Sequence, residues 1–256
     1  TNNKIIATNL TTLDIISLHR VLAKIKLSGI DNVILEASSH GLEQGRLSGI
    51  NFKTAIFTNF SQDHLDYHKN MKNYLSAKLI LFSKLLGKKK YIITDSEIPE
   101  FLKLKKIAKK NNLNFVTIGK KNSTIQFKSI RPNNNFQNII FSFKRKSYAV
   151  QIPLIGIFQI KNLFMSMLAA KVSGLDIKKT LNIVKKIKEV NGRLQLVKTT
   201  SNQTKIFIDY AHTPDALETA LKTLKQHYKI KPIVVFGCGG ERDKKKKIQD
   251  GKSLWK

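Results

Sequence analysis

Cysteine is almost missing from this 256-residue chain. Cys238 stands alone, so no internal disulfide framework is possible, and the usage fits a reducing cytosol. Long apolar runs are missing as well: none approaches the roughly 18 residues that a membrane-crossing helix needs. The start, Thr1-Asn2-Asn3-Lys4, has no apolar stretch behind it, so no signal peptide is expected there. Acidic residues are few, 17 against 46 lysines and arginines, which leaves a net charge of +29. Such a charge invites a nucleic-acid partner. Yet no zinc-finger spacing or RNA-recognition aromatic motif accompanies it, and the lysines run through every segment beside abundant Asn and Ile. The tightest cluster, Lys244 to Lys247, reads as a solvated loop or helix face. No specific nucleic-acid partner and no membrane contact are expected, and the milder consequence of the charge is attraction to anionic small molecules such as nucleotides.

What is present is a globular composition. Hydrophobic residues make up 41%, enough to build a real core in one large domain or two ordinary ones. The spacing predicts a helix over residues 14–28, with Ile15, Leu18, Leu22 and Ile25 on one face and Gly29 as its terminating glycine. Val33-Ile34-Leu35 and Ala55-Ile56-Phe57-Thr58 read as short buried strands. Each ends in polar residues: Glu36, Ser38, Ser39 and His40 after the first, Asn59, Ser61, Asp63 and His64 after the second. In open α/β sheets the ligand site lies at the carboxyl ends of strands, so two polar clusters there signal a site.

Further along, Tyr91 to Thr94 and Phe115 to Ile118 bracket a helix. Ile125 to Ile130, Asn138 to Phe143 and Tyr148 to Ile152 look like an antiparallel patch, with a hairpin turn at Lys144-Arg145-Lys146-Ser147. Two helices are expected near 159–173 and 176–189. The pattern restarts at Asn191-Gly192-Arg193, and a domain boundary is placed near residue 190. Lys205 to Asp209 is a strand; Thr213-Pro214 supplies an N-cap with proline at the first helical position. A helix to about Tyr228, a strand from Ile233 to Phe236 and a turn at Gly237-Cys238-Gly239-Gly240 follow. No internal repeat is found. The chain starts without Met and stops at Leu254-Trp255-Lys256 in what reads as mid-element, so a fragment of a longer protein is expected.

Lys78 is unusual. Met71, Tyr74, Leu75, Leu79 and Phe82 recur at three- and four-residue steps, the stripe of an amphipathic helix, and Lys78 falls on that stripe. A lysine there is costly unless its charge is solvated, paired or chemically removed. Snorkelling to water is one answer. A functional role is the other, suggested by the neighbouring Asp63-His64-Leu65-Asp66-Tyr67-His68, the densest group of acid/base and metal-ligating side chains in the chain.

Several phrases together carry a resemblance: LEASSHGLEQGRL (35–47), FTNFSQDHLDYH (57–68), YLSAKLILF (74–82), GIFQIKN (156–162), NGRLQLV (191–197), IDYAHTPDAL (208–217) and FGCGGERDK (236–244). In order and spacing they resemble the Mur ligases, the ATP-dependent amide-forming enzymes of peptidoglycan precursor synthesis, and within them the MurE type. The implied fold is α/β. It comprises a central ATPase domain over 1–190, mainly a parallel sheet with helices on both faces plus a small antiparallel patch. The start of a Rossmann-like C-terminal domain follows over 191–256.

The resemblance also implies a reaction. ATP phosphorylates the terminal carboxylate of UDP-MurNAc-L-Ala-D-Glu, and the amino group of a free amino acid, meso-diaminopimelate or L-lysine, displaces the phosphate. Such chemistry rests on positioning and charge neutralisation, for which Mg2+ is the main device. By resemblance Glu36 and His64 are magnesium ligands. Glu36 suits the role as a hard oxygen donor, or is simply a capping carboxylate, whereas an imidazole is an odd partner for magnesium, so His64 rests on the resemblance alone. Thr11, Thr12, Ser38, Gln44 and Arg46 map to the UDP-MurNAc-dipeptide site, where donors and a guanidinium suit a diphosphate sugar with a carboxylate. Asn162, Arg193, Asp209 and His212 map to nucleotide contacts, with Asn162 read as a buried side chain in need of partners. Lys78 maps to a carbamylated lysine beside the metal. His64 and Lys78 are accordingly the catalytic candidates, and a cytoplasmic monomer is implied.

Three departures stand out. No G-x-x-x-x-G-K-[ST] phosphate loop occurs in the sequence; the family's loop is expected to precede residue 1. Gln159 replaces the family's first Asn in G-x-F-N, which is expected to weaken a nucleotide contact. Asn191-Gly192-Arg193-Leu194-Gln195 lacks the proline and the acidic group of P-G-R-[ML]-E. The rivals are another ligase of the superfamily, of folylpolyglutamate or cyanophycin type, and a basic nucleic-acid-binding module, which salt-sensitive DNA retention without nucleotide binding would favour.

Overall fold

The structure is a computed structural model that describes residues 7–237. The expectations for Cys238 and its glycine turn, for Lys244 to Lys247 and for the ends of the chain lie outside the described residues.

Asp14 opens α1 (Ile15–Leu27) by accepting the Ser17 amide, and Ser28 and Gly29 close it, Gly29 with φ 71°. The expected apolar face is only partly covered: Leu18 is buried, whereas Ile15 is 41% exposed. Residues 33–35 do not form a strand. A strand needs a neighbour's backbone to satisfy its amides and carbonyls, and among the described residues none pairs with this run; Ile34 is 98% exposed. The same holds for 233–236, where Ile233 and Val235 are each 97% exposed. A strand not anticipated, β7 (Gln195–Thr199), pairs antiparallel with β8 (Lys205–Ile208). A bulge between Leu196 and Lys198 breaks the alternation that would have revealed it.

The main sheet has six strands in sequence order: β1 (Thr54–Phe57), β2 (Tyr91–Asp95), β3 (Asn114–Gly119), β4 (Ile125–Asn133), β5 (Phe136–Phe143) and β6 (Lys146–Ile152). Tyr91 N donates to Lys53 O and Thr94 Oγ1 to Phe57 O, so β1 and β2 advance in the same direction. Asn114 N on Lys90 O and Ser96 N on Ile118 O show the same for β2 and β3. From β4 to β6 the sheet is antiparallel and its strands are longer, so the antiparallel part is not a small patch. The pairing of Phe143 with Lys146 leaves Lys144 and Arg145 as a two-residue loop, both at positive φ as a type I′ turn requires.

The helices are α2 (Ser39–Glu43), α3 (Leu65–His68), α4 (Met71–Ile80), α5 (Phe101–Lys110), α6 (Ile157–Val172), α7 (Ile177–Val184) and α8 (Pro214–Tyr228). α7 ends five residues short of the expected 189. α4 runs on into a π-helical turn, Leu81–Leu85. Thr213 caps α8 by accepting the Ala216 amide, with Pro214 at the first position.

The described residues fall into two compact units, 7–55 with 67–92 and 102–115, and 56–66 with 93–101 and 116–237. In the first, Leu42, Leu47, Tyr74, Leu79, Phe82 and Leu104 are buried. In the second, Ile118, Ile125, Phe141 and Ile152 from the sheet pack with Ile160, Phe164 and Leu168 of α6 and with Leu181 of α7. Among the described residues no helix is long and apolar enough to cross a membrane.

Candidate functional site

Within the first unit, Thr12 is the post around which the polar residues are arranged. It is buried, and its hydroxyl donates to the Glu36 carbonyl at 2.8 Å and accepts the Ser38 amide at 3.0 Å. Ser38 in turn caps α2, its Oγ accepting the Gly41 amide at 3.1 Å. Gly41 has to be glycine: a Cβ there would lie 2.8 Å from Thr12 Cβ and Cγ2 and 3.0 Å from Ser38 Oγ. At the other end of α2, Arg46 donates through Nη1 to the Thr12 carbonyl at 2.8 Å and through Nε to Gln44 Oε1 at 2.9 Å, with Nη2 on the same oxygen. Gln44 Nε2 donates to the Tyr67 hydroxyl at 3.1 Å.

Thr12, Ser38, Gln44 and Arg46 therefore stand in one hydrogen-bonded network, with Thr11 exposed beside Thr12. Every one of the Arg46 bonds ends on a neutral oxygen, so its charge has no ion pair among the described residues. Glu36 is not at a strand end, because its strand is not formed. It enters the network through its carbonyl, and its exposed carboxylate is used by no hydrogen bond among the described residues. That is a hard oxygen donor of the kind Mg2+ takes, and it fits the metal. Lys78, half-buried on α4, holds Nζ 5.1 Å from the centre of the Tyr74 ring. The π turn begins three residues later, the sort of local departure that recurs at functional sites.

The second unit holds the other cluster. His64 sits at φ 54°, a left-handed conformation, with its amide on Asp63 Oδ1 at 2.9 Å and Nε2 3.6 Å from Asp63 Oδ2. His212 Nε2 is also 3.6 Å from that Oδ2, so one carboxylate stands between two imidazoles. His212 Nδ1 lies 3.0 Å from the Tyr210 carbonyl, and the Arg193 guanidinium lies 5.1 Å from the Tyr210 ring centre. Asp209 spends its carboxylate on the chain itself, accepting the Leu194 amide through Oδ2 and the Ala211 amide through Oδ1, both at 2.8 Å. Leu194, at φ 44°, is buried in a small cluster with Ile155 and Ala220. Asp209 thus shapes the turn that carries Arg193.

Asn162 corrects an expectation. It is exposed on α6 rather than buried. The buried amide is Gln159, 6% exposed, which donates to the Ile155 carbonyl at 2.9 Å and the Arg193 carbonyl at 3.1 Å. In this structure the departure at Gln159 ties α6 to the Arg193 turn. Gly156 precedes α6 at φ 96°, where a Cβ would lie 2.9 Å from both Phe158 Cε1 and Thr223 Cγ2.

Some polar contacts were not anticipated. Lys161 lies 2.6 Å from Asp95 Oδ2 and 3.1 Å from Glu97 Oε2, with Asp95 buried. Burial pulls the Lys161 pKa down, but the hydrogen bonds and charges of the two carboxylates outweigh it and hold the pKa above the ordinary lysine value. Asp63 and Tyr67 belong to the sites by contact. Tyr67 had no sequence signal beyond membership of the Asp63–His68 run, whereas Asp63 also stood in the polar cluster after the Ala55–Thr58 strand. Glu36 and Lys78 belong to the first unit and His64 to the second. Among the described residues no group of three His, Cys, Asp or Glu side chains is arranged to hold a metal.

Residues 1–170 match the Mur ligase middle domain, and residues 192–254 match the Mur ligase, glutamate ligase domain. A UDP-N-acetylmuramoyl-L-alanyl-D-glutamate–2,6-diaminopimelate ligase of Rickettsia montanensis is 42% identical over 240 residues, 93% of this chain and 49% of the relative. The ligase of the same name from Zymomonas mobilis is 36% identical, over 95% of this chain and 50% of its own length. A solved structure of a ligase of that name superposes with a TM-score of 0.73 at 31% identity, covering 95% of this chain and 50% of the other. The chain spans about half the length of the relatives it matches.

Proposed function

The chain belongs to the Mur ligase family, and we propose that it is the part of a MurE-type enzyme that binds ATP and UDP-MurNAc-L-Ala-D-Glu and joins the latter to 2,6-diaminopimelate. The observation that carries this reading is the network gathering Thr12, Ser38, Gln44 and Arg46 around α2. It supports recognition of an anionic sugar nucleotide: the guanidinium is held in place by neutral oxygens, and its charge is left for a ligand. A division near residue 190 separates the nucleotide-binding part from the start of the C-terminal part. A cytoplasmic location and a monomer go with this reading.

Bound ATP supplies the phosphoryl group that makes the substrate's carboxyl oxygen a leaving group, and Mg2+ supplies charge neutralisation. The chain's own residues do the positioning. In the first unit the Glu36 carboxylate, used by no hydrogen bond among the described residues, would be open to the metal, and His64 is kept as a metal ligand on the resemblance alone. Arg193, on a turn fixed by Asp209 and Gln159, meets the ATP phosphates, and His212 and Asn162 contact the nucleotide. Thr11 lies beside Thr12 and completes the sugar-nucleotide side.

Lys78 carries a carbamate in the working enzyme. Its neutral amine attacks the carbon of CO2, a C–N bond forms as one C–O π pair moves to oxygen, and the nitrogen proton passes to water. The product puts a negative group where an ammonium stood. The place of Lys78 on the α4 stripe, half-buried beside the Tyr74 ring, supports this reading.

The test is phosphate release by the full-length gene product, with UDP-MurNAc-L-Ala-D-Glu and 2,6-diaminopimelate both required. Lys78→Ala should lose activity and regain part of it when short carboxylic acids are added, and Lys78→Arg should be inactive. Phosphate release that ignores either substrate would overturn the ligase reading. Full activity of Lys78→Arg would overturn the carbamate alone.

A further inference from the structure

His68 takes no part in the chemistry proposed above, yet its side chain is wholly enclosed. It ends α3, a single helical turn, and touches two other helices. Toward α2, Nε2 lies 2.9 Å from Ser39 Oγ and Nδ1 lies 3.3 Å from Glu43 Oε2. Toward α4, the imidazole stacks on Tyr74 with centroids 5.2 Å apart and planes at 25°. Its own carbonyl accepts Asn73 Nδ2 at 3.2 Å and the Asn70 amide at 2.8 Å, at the very start of α4. The rings of His40 and Tyr67 enclose it further, at 5.3 and 4.8 Å.

A serine, a histidine and a glutamate in this order resemble a hydrolytic triad, and the geometry must be weighed against that chemistry. Ser39 is only 3% exposed, in the first turn of α2, so no acyl group can approach its hydroxyl. The trio is a structural chain. Nε2 stands within hydrogen-bond distance of the Ser39 hydroxyl, and Nδ1 faces the Glu43 carboxylate.

What the chain joins gives it a purpose. α2 is flanked by Ser38 at its start and by Gln44 and Arg46 at its end, and Gln44 also reaches Tyr67, the residue before His68. α4 carries Lys78, whose Nζ lies over the Tyr74 ring on which His68 stacks. We propose that His68 is a positioning residue: through Ser39 and Tyr74 it fixes α2 against α4, and so sets the sugar-nucleotide contacts of Gln44 and Arg46 relative to Lys78. The proposal rests on the functional reading of those three residues. A core histidine that only filled space would not need the Ser39 hydroxyl.

The experiment uses the full-length gene product and isothermal calorimetry with two probes, UDP-MurNAc-L-Ala-D-Glu and a non-hydrolysable ATP analogue. Ser39→Ala removes one oxygen from a small buried residue and should fold. His68→Phe keeps a ring on Tyr74 but loses the bond to Ser39. Each should weaken the sugar nucleotide roughly tenfold, the factor that a lost hydrogen bond carries, and leave the affinity for the ATP analogue unchanged. The double variant should be no weaker than either single one, because both changes break the same bond. His68→Gln, which can still bond Ser39, should recover part of the loss. Unchanged sugar-nucleotide affinity in folded Ser39→Ala, equal weakening of both probes, or additive losses would each overturn the positioning role. If the unaltered protein fails to bind the sugar nucleotide at all, the functional reading fails first and the proposal falls with it.

Discussion

Replacing Gln159 by leucine keeps the volume of the side chain and removes only its polar end. In the structure that end donates to two carbonyls, Ile155 O at 2.9 Å and Arg193 O at 3.1 Å, in surroundings where Gln159 is 6% exposed. Water cannot readily take its place at the Ile155 carbonyl, whereas the Arg193 carbonyl is only part-buried and loses chiefly its tie to α6. An unsatisfied buried acceptor costs about 1–3 kcal/mol, and with one carbonyl buried and the other only part-buried we expect roughly 1–3 kcal/mol. Urea unfolding followed by circular dichroism measures it. With an m-value of about 2 kcal/mol/M, the midpoint should fall by roughly 0.5–1.5 M. The loss also has a place: amide hydrogen exchange should quicken at Leu194 and its neighbours, because the Arg193 turn is released. ATP affinity should drop with it if Arg193 meets the phosphates. Gln159→Glu offers the same shape with acceptors facing acceptors and should be worse than leucine. A Gln159→Leu protein with its midpoint and its exchange at Leu194 both unchanged would refute the argument that this amide anchors the turn.

Two further outcomes follow from the same geometry. Arg46→Ala should weaken the binding of UDP-MurNAc-L-Ala-D-Glu by one to two orders of magnitude, as loss of a charge-assisted hydrogen bond of about 1.5–3 kcal/mol predicts, with little change for ATP. Arg46→Lys should recover only a part, since one ammonium cannot reach both Gln44 Oε1 and the Thr12 carbonyl as the fork does; calorimetry with each ligand separates these cases. At high pH the second unit should lose stability. Asp95 and Glu97 raise the Lys161 pKa above its ordinary 10.5, and burial, with the nearby charge of Glu189, pushes the Tyr228 phenol up to about 12. Both groups hold their protons more tightly folded than unfolded. Their contributions are therefore complete below pH 10, where the unfolded groups are still protonated, and are lost as pH rises through the folded values. Unfolding followed by circular dichroism from pH 8 to 12 should show the decline, and Asp95→Asn, which removes a partner that raises the folded Lys161 pKa, should lower the stability below pH 10 and make the decline smaller.

Local periodicity and turn chemistry were enough to read most elements in the sequence. α1 with its Gly29 stop, β1 to β6, α6 and the Thr213-Pro214 start of α8 are all encoded by neighbours within a few residues, and the structure forms them within a few positions of where they were expected. Membership of the Mur ligases was legible as well, because phrases such as Asp63–His68 and Asp209–Leu217 keep their residue order whatever the packing. Tertiary structure decided what depends on a partner distant in sequence. Residues 33–35 and 233–236 have strand-like composition, but a strand exists only where another backbone pairs with it. β7 was hidden by a bulge that matters only once β8 lies alongside. Helical phase could not say that Asn162 faces out and Gln159 faces in, because burial is set by what covers a helix. Nor could spacing show that the Gly41 backbone closes on Thr12, that Asp63 stands between His64 and His212, or that His68 spans from Ser39 to Tyr74. Those pairings are fixed by residues that no periodicity connects, and they exist because the chain's own packing brings them within hydrogen-bonding and van der Waals range.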